Sequence, residues 1–294
     1  MTEKCQLSVI IPVFNEADNL NVILPPLIKL CQQNSWNILV INDGSSDNTK
    51  EVLSSYSNTH GFKVILHKLN RGYGAAIKSG IRACETEYCI TFDADGQHRL
   101  EDIERLNNFM LANDADMVIG SRKGVKSVSY SRGFAKSVIR LIAKILMNVP
   151  VHDLNSGMKV YRTDLAQKYI GLAPDTMSYS DVITLIFISH RHLVLEESIT
   201  IKPRLQGKST IGIETAFQTI MEIINIVILF NPMKIFLPIS IICFLFTLGW
   251  GIPLAIHGYG VSTGTLLGFI SGIIFFLLGL IAEQLSMIRK KSNN

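Results

Sequence analysis

Tyr88-Cys-Ile-Thr-Phe-Asp-Ala-Asp-Gly-Gln-His98 passes from an apolar run to three oxygen-bearing side chains. Cys89 to Phe92 has the length and composition of a short buried strand, and Gly96 marks where it gives way to a loop. Asp93, Asp95 and Gln97 stand two residues apart, so on an extended chain their side chains point to one side. Three oxygen donors would then converge just past the carboxyl end of a strand, where open α/β sheets bind ligands. Such donors suit a hard cation, Mg²⁺ or Mn²⁺, usually shared with phosphate oxygens. The alternative is a solvated acidic turn, and the surrounding chain weighs against it.

Upstream, Leu7 to Val13 is apolar and ends in Pro12-Val-Phe-Asn-Glu16, followed by a helical stretch from about Leu20 to Cys31. Ile38 to Ile41 ends in Asn42-Asp-Gly-Ser-Ser-Asp-Asn-Thr49, ahead of a helix near Lys50 to Tyr56. Val64 to His67 is a third strand; Asn70-Arg-Gly-Tyr-Gly-Ala-Ala76 and a helix to about Cys84 follow it. Downstream, Met117 to Gly120 is a fifth strand before Ser121-Arg122. Strands alternating with helices predict an α/β fold with a mostly parallel, doubly wound sheet. Every motif then falls on the same rim. Asp43 could accept from a ribose hydroxyl or a base N–H. It could equally turn the chain with Gly44 while Ser46 or Asp47 caps the next helix. The Gly72-Tyr-Gly74 junction could approach a phosphate, although it lacks the spacing of a P-loop.

The chain has 294 residues, of which 48% are hydrophobic, and their distribution is uneven. No charged residue occurs from Ile235 to Ile256 or from Val261 to Ala282. Each stretch can cross a bilayer core of about 30 Å. Pro238 and Pro253 lie near the ends of the first. Lys234 precedes that span, Arg289, Lys290 and Lys291 follow the second, and the loop from His257 to Thr265 carries no Lys or Arg. The positive-inside rule therefore predicts a two-span cell-membrane protein with both termini and the N-terminal domain in the cytoplasm. Leu7 to Phe14 is too short for the apolar region of a signal peptide. Five scattered cysteines form no CxxC pair, which fits reduced cytosolic thiols. A net charge of +4 does not argue for nucleic acid.

Taken together, Val9-Ile-Ile-Pro-Val-Phe-Asn-Glu16, Ile41-Asn-Asp-Gly-Ser-Ser-Asp-Asn-Thr49, Asn70-Arg-Gly-Tyr-Gly-Ala-Ala76 and Phe92-Asp-Ala-Asp-Gly-Gln-His98 resemble family 2 glycosyltransferases, whose nucleotide-sugar-binding fold is called GT-A. Gly120-Ser-Arg122, Ser131-Arg-Gly133 and Asp153-Leu-Asn-Ser-Gly-Met-Lys-Val-Tyr-Arg162 resemble the polyprenyl-phosphate branch, as does Asn231-Pro-Met-Lys234 leading into two spans. The resemblance implies that Pro12, Phe14, Glu16, Ile41 and Asp43 line a nucleoside pocket. It places Asp93, Ala94 and Asp95 against ribose and diphosphate, with Asp95, Gln97 and Asp93 as metal ligands. It makes Asp93, Asp95 and Arg122 catalytic, and sets Arg122, Ser131 and Arg132 toward the acceptor phosphate. Arg204 and Lys208 would reach the donor from a loop before the membrane. In Arg204-Leu-Gln-Gly-Lys-Ser-Thr210, Thr210 stands where the family pattern has a lysine, and Lys208 lies two residues earlier. Phe14 replaces the usual tyrosine, so it can stack but not donate.

Arg132, Lys136, Arg140 and Lys144 recur every four residues beside an apolar face, a pattern that predicts an interfacial helix over about 132–148. An amphipathic stretch over 211–232 would lead into the membrane region at 233–294, leaving 1–210 as the catalytic domain. The acceptor implied is a polyprenyl phosphate, which is already anionic and needs no base. The donor implied is a UDP- or GDP-sugar, with inversion at the anomeric carbon. Self-association into a homo-oligomer is compatible with this layout. Asp153 could be a base, cap a helix, or pair with Arg162 or Lys159. Two rival readings remain: transfer to a hydroxyl acceptor, and a non-catalytic nucleotide-sugar-sensing partner of a flippase.

Overall fold

The structure, a computed structural model, describes residues 6–122, 150–200, 221, 224, 227, 228 and 231–292. Ser131, Arg132, Arg204 and Lys208, together with the helices expected over 132–148 and 211–230, lie almost wholly outside the described residues, which there include only 221, 224, 227 and 228. The chain divides into two compact units, one carrying the sheet and one the C-terminal helices.

Strand β1 (Leu7–Val13) runs through the centre of a seven-stranded sheet of order β3-β2-β1-β4-β6-β5-β7. It pairs in parallel with β2 (Asn37–Asn42) and β4 (Tyr88–Thr91), and β2 pairs in parallel with β3 (Phe62–Leu66). On the far side β5 (Met117–Ser121) pairs in parallel with β7 (Val194–Ser198). Between β4 and β5 lies β6 (Lys159–Arg162), antiparallel to both. The sheet is thus mostly parallel, as the strand–helix alternation predicts, with one reversed strand that it does not. β6 is only Lys-Val-Tyr-Arg, and β7 is Val-Leu-Glu-Glu-Ser; neither carries a pattern strong enough to mark a strand.

Side chains alternate across the sheet with period two. Val9 and Ile11 of β1 join Val40, Ile90, Val118 and Val160 in one core, covered by Leu20, Leu24 and Leu27 of α1 (Ala17–Gln33) and Ile103, Leu106 and Met110 of α4 (Glu101–Asn113). Ile10 and Ile41 face the other way, against α3 (Tyr73–Arg82), which follows the short α2 (Thr49–Ser54) and β3. Gly80 lets α3 lie this close, because a Cβ there would sit 2.8 Å from Ile41 Cδ1. After β6 come α5 (Thr163–Tyr169), a 3₁₀ turn (Ile170–Leu172) and α6 (Tyr179–Ser189). The parallel strands end on the rim where the reversed β6 begins, so residues 12–16, 43, 93–98, 122 and 153–158 all belong to it.

In the second unit, α7 (Met233–Ile256) and α8 (Thr263–Ser292) pack as a hairpin. Met233–Ile256 and Thr263–Ile288 are long and apolar enough to cross a membrane. The second stretch runs past the expected end at Ala282 and takes in Glu283. Small residues seat the two helices: Ser240 Oγ donates to Gly272 O at 2.7 Å, and a Cβ on Gly272 would meet Phe244 at 2.8 Å.

Candidate active site

β4 delivers Asp93 to the rim, but the chain then turns at Ala94 and Asp95, and Gly96 takes a φ of 74° that favours glycine. The expected extended run of three donors is therefore a turn. Its exposure still alternates: Phe92 and Ala94 are buried, while Asp93, Asp95 and Gln97 are half-buried. Asp95 Oδ1 accepts the Gln97 N–H at 3.1 Å, which holds the turn. Asp93 is committed to the protein. Its Oδ1 accepts the Tyr73 hydroxyl at 2.8 Å, and Oδ2 lies 3.5 Å from His98 Nε2, leaving 26% of the side chain exposed. Gly157 sits so close that a Cβ there would collide with the carboxylate. Burial pushes the Asp93 carboxyl up, but His98, Tyr73 and the Arg122 charge outweigh burial and hold it below the ordinary range. Burial and Asp93 together push the Tyr73 phenol well above its usual value, so it remains a donor.

Arg122, just past β5, is aimed by the β5–β6 connection. Its Nε donates to Asp153 Oδ2 at 2.7 Å and its Nη2 to Asp153 Oδ1 at 2.6 Å, with a further bond from Nη2 to Asn155 Oδ1. The backbone N–H of Arg122 also donates to Asp153 Oδ2, at 2.9 Å. Glu196 of β7 accepts from the backbone N–H groups of His152 and Asp153 at 2.6 and 2.7 Å and fixes that turn. Such a fork is geometrically specific as well as strong. Burial raises Asp153, but Arg122 more than reverses it and keeps the carboxyl low. Asp153 therefore pairs with Arg122, not with Arg162 or Lys159 as the sequence suggested. Arg162 reaches Asp164 at 3.5 Å. Nε and both N–H groups of Nη2 are engaged, and among the described residues Nη1 has no hydrogen-bond partner.

At the β2 end the structure differs from expectation. The Asp43 carboxylate, 3% exposed, is filled from within: it accepts from Arg71 N at 3.0 Å, Gly72 N at 2.8 Å and His67 Nδ1 at 2.6 Å. It occupies the backbone N–H groups that the glycine junction was expected to offer a phosphate. Asp175 takes another, accepting from Ala75 N at 3.2 Å, and a Cβ on Gly74 would run into the same Pro174–Thr176 segment. The two glycines do mark a close backbone approach, but to the protein's own chain. Ile41 is fully buried under α3 and has no side-chain surface for a nucleoside; its neighbour Pro12 is buried too. Phe14 presents an open ring, 45% exposed. Glu16 accepts from Asn19 Nδ2 at 2.5 Å. Asn15, at φ 56°, latches this loop to the next, its Oδ1 accepting from Ser46 N at 2.8 Å.

Sequence reasoning missed Tyr73, His98, Asn155 and Gly157, all within motifs already quoted, and gave Lys159 only as a possible partner of Asp153. Among the described residues no three His, Cys, Asp or Glu side chains gather as a metal cage. Asp95 and Gln97 instead offer a few half-exposed hard oxygens. That donor set fits a divalent cation that keeps water and phosphate in its shell.

The profile of glycosyl transferase family 2 matches residues 8–170, and a second, described as the GtrB C-terminal hairpin, matches residues 231–288. A polyprenol monophosphomannose synthase of Mycolicibacterium smegmatis is 31% identical over 68% of this chain and 79% of its own. A dolichyl-phosphate beta-glucosyltransferase of Dictyostelium discoideum is 29% identical over 55% of each chain. The undecaprenyl-phosphate 4-deoxy-4-formamido-L-arabinose transferase of Proteus mirabilis is 32% identical over 53% of this chain and 49% of its own. The chain thus spans about half the length of the last two. Among solved structures, glucosyl-3-phosphoglycerate synthase of Mycobacterium tuberculosis, in complex with Mn²⁺, UDP and phosphoglyceric acid, superposes with a TM-score of 0.61 at 15% identity, covering 76% of this chain and 78% of that one. The shared fold is the GT-A arrangement.

Proposed function

This chain belongs to glycosyl transferase family 2, and we propose that it moves a hexosyl unit from a nucleotide diphosphate sugar to a membrane polyprenyl phosphate on the cytoplasmic leaflet. The observation that carries the acceptor assignment is Arg122, a guanidinium beside Asp93 at the rim, held rigid by Asp153 and Asn155 through Nε and Nη2. A hydroxyl acceptor needs a positioned base, whereas a phosphate monoester arrives already anionic. The difficulty is then to bring two anions together, which calls for preorganised cations. The relatives named for dolichyl, polyprenol and undecaprenyl phosphates, and the apolar hairpin, support the same choice.

In this reading the exposed Phe14 ring stacks on the base, and Asp95 with Gln97 holds Mg²⁺ or Mn²⁺ beside the diphosphate. The ion, when bound, would offset charge on the departing nucleoside diphosphate. Asp93, kept anionic by Tyr73 and His98, sets the electrostatics behind Asp95. Arg122 steers the acceptor phosphate toward the anomeric carbon, and the displacement inverts it. Arg204, Lys208, Ser131 and Arg132 are assigned to donor and acceptor phosphates on the family pattern. Pro12, Ile41 and Asp43 shape the nucleoside end from below rather than touching it with their side chains.

The test is a donor screen of UDP- and GDP-sugars with undecaprenyl phosphate in detergent or vesicles, read by mass spectrometry. A sugar phosphodiester supports the proposal. A glycosidic ether on an added glycan or lipid would establish the hydroxyl-acceptor reading instead, and no turnover with any donor the sensing partner. Orientation is tested separately, after removal of the native cysteines. A cysteine at Ser262 should react with an impermeant thiol reagent from outside, and one at Asn293 should not.

A further inference from the structure

Lys159 has a fully buried side chain at the start of the reversed strand β6. Lysine is almost never buried this way without partners. Here its Nζ donates to Leu154 O at 2.6 Å, to Thr184 Oγ1 at 2.9 Å and to Ser180 O. An ammonium has three N–H donors, and all three are used. The acceptors come from two places. Leu154 lies between Asp153 and Asn155, the two residues that grip Arg122; Ser180 and Thr184 lie in the first turns of α6. The same turn ends in Gly157, which abuts the Asp93 carboxylate and whose carbonyl accepts from Thr91 Oγ1 at 2.6 Å.

We propose that Lys159 is a positioning residue for the transfer: its ammonium ties the Asp153–Asn155 turn to α6 and so sets the angle at which Arg122 meets the reacting phosphates. The inference rests on the reading of Arg122 given above. A methionine would fill the same space and bury more favourably. Retaining a charge there is explained by what the charge holds. Carbonyl 154 can be fixed by a donor from below only if that donor crosses the core between the sheet and α6, and the lysine stem does so. Burial draws the amine's pKa down to about 7, against the pull of Asp181 on α6 and Asp153 on the turn, with Arg122 repelling it and Asp93 attracting it.

The experiment is a double-mutant cycle on the full-length protein, assayed for transfer to undecaprenyl phosphate with the donor that the screen selects. Lys159→Met should lower kcat on the order of 10²-fold, the scale of a 1 Å misplacement, while KM for the nucleotide sugar stays put. In an Arg122→Ala background it should cost nothing further, because Lys159 acts through Arg122. Equal losses in both backgrounds, a rise in KM alone, or a loss that only tracks the folded fraction would overturn the proposal. If Lys159→Met does not fold, Thr184→Val decides. It keeps the amine and removes one acceptor, and should show the same pattern at smaller amplitude; unchanged kcat overturns the proposal. Should Arg122→Ala itself keep full kcat, the reading of Arg122 fails first, and that is visible without any Lys159 variant.

Discussion

The two units use burial in opposite senses. In the sheet unit, Leu20, Leu24, Leu27, Ile11 and Val40 are buried, and charged side chains buried with them, such as Asp43 and Lys159, are held by hydrogen bonds. In the hairpin, Ser240 and Thr247 are the residues of α7 buried inside, while Ile242, Leu245 and Phe246 are 62–66% exposed. Water drives apolar groups inward in the first case. In lipid that drive is gone, and close packing of small residues with a few internal hydrogen bonds takes over. Buried polar groups therefore mean different things. In the hairpin Ser240 and Thr247 serve packing. In the sheet unit the buried Lys159, like the half-buried Asp93 and Asp153, is held in place by its polar partners.

Four substitutions and two changes of condition test that contrast. Asp95→Ala should abolish transfer, and EDTA should do the same to the wild type with Mg²⁺ or Mn²⁺ restoring it; persistence of activity in either case removes the metal from the mechanism. Arg122→Ala should lose on the order of 10²–10³-fold in turnover. It should also lower the melting temperature, because Asp153 is left half-buried without its cation, at up to roughly 3–5 kcal/mol for such a pair. Denaturation of this variant therefore measures what the Arg122–Asp153 pair contributes to the fold. Leu24→Ala should cost about 2–5 kcal/mol in the sheet unit. Leu245→Ala, facing lipid, should leave the stability in vesicles within about 0.5 kcal/mol; a large loss would show that the hairpin hides this face against something else. The last test is of pH, measured as melting temperature. Asp93 and Asp153 have folded pKa values below the ordinary 3.8, so their stabilisation is present above that value and lost as pH falls through the folded values. Lys159 is drawn down from 10.5 to about 7, so the unfolded chain binds more protons between those values, and this group makes stability rise with pH across that window.

Local patterns made the first five strands and the two apolar helices readable, since each is a contiguous run whose period or length identifies it. The rim location of Asp43, Asp93 and Arg122 followed from that alternation. What stayed hidden was pairing at a distance. Nothing around Asp43 says that its carboxylate will be met by Arg71 and Gly72, or that Asp175 will cover the glycine junction from a hundred residues away. A glycine pair announces a close approach without naming what approaches. The reversed β6 was invisible because four residues fixed by neighbours on both sides need no pattern of their own.

That reversal has a consequence for how such a protein can change. Because β6 runs antiparallel to β5, the chain leaves β5 at Ser121 and enters β6 at Lys159 on one rim, where Arg122 and Asp153 are clasped at 2.6 Å. An excursion that begins and ends at one clasp can be lengthened, trimmed or exchanged without rethreading a strand, and closing a longer loop costs little more than closing a short one. The fold thus contains a natural splice point beside its chemistry. A segment grafted between Arg122 and Asp153 leaves strands β1 to β5 and the turn from Asp93 to Gln97 as they are.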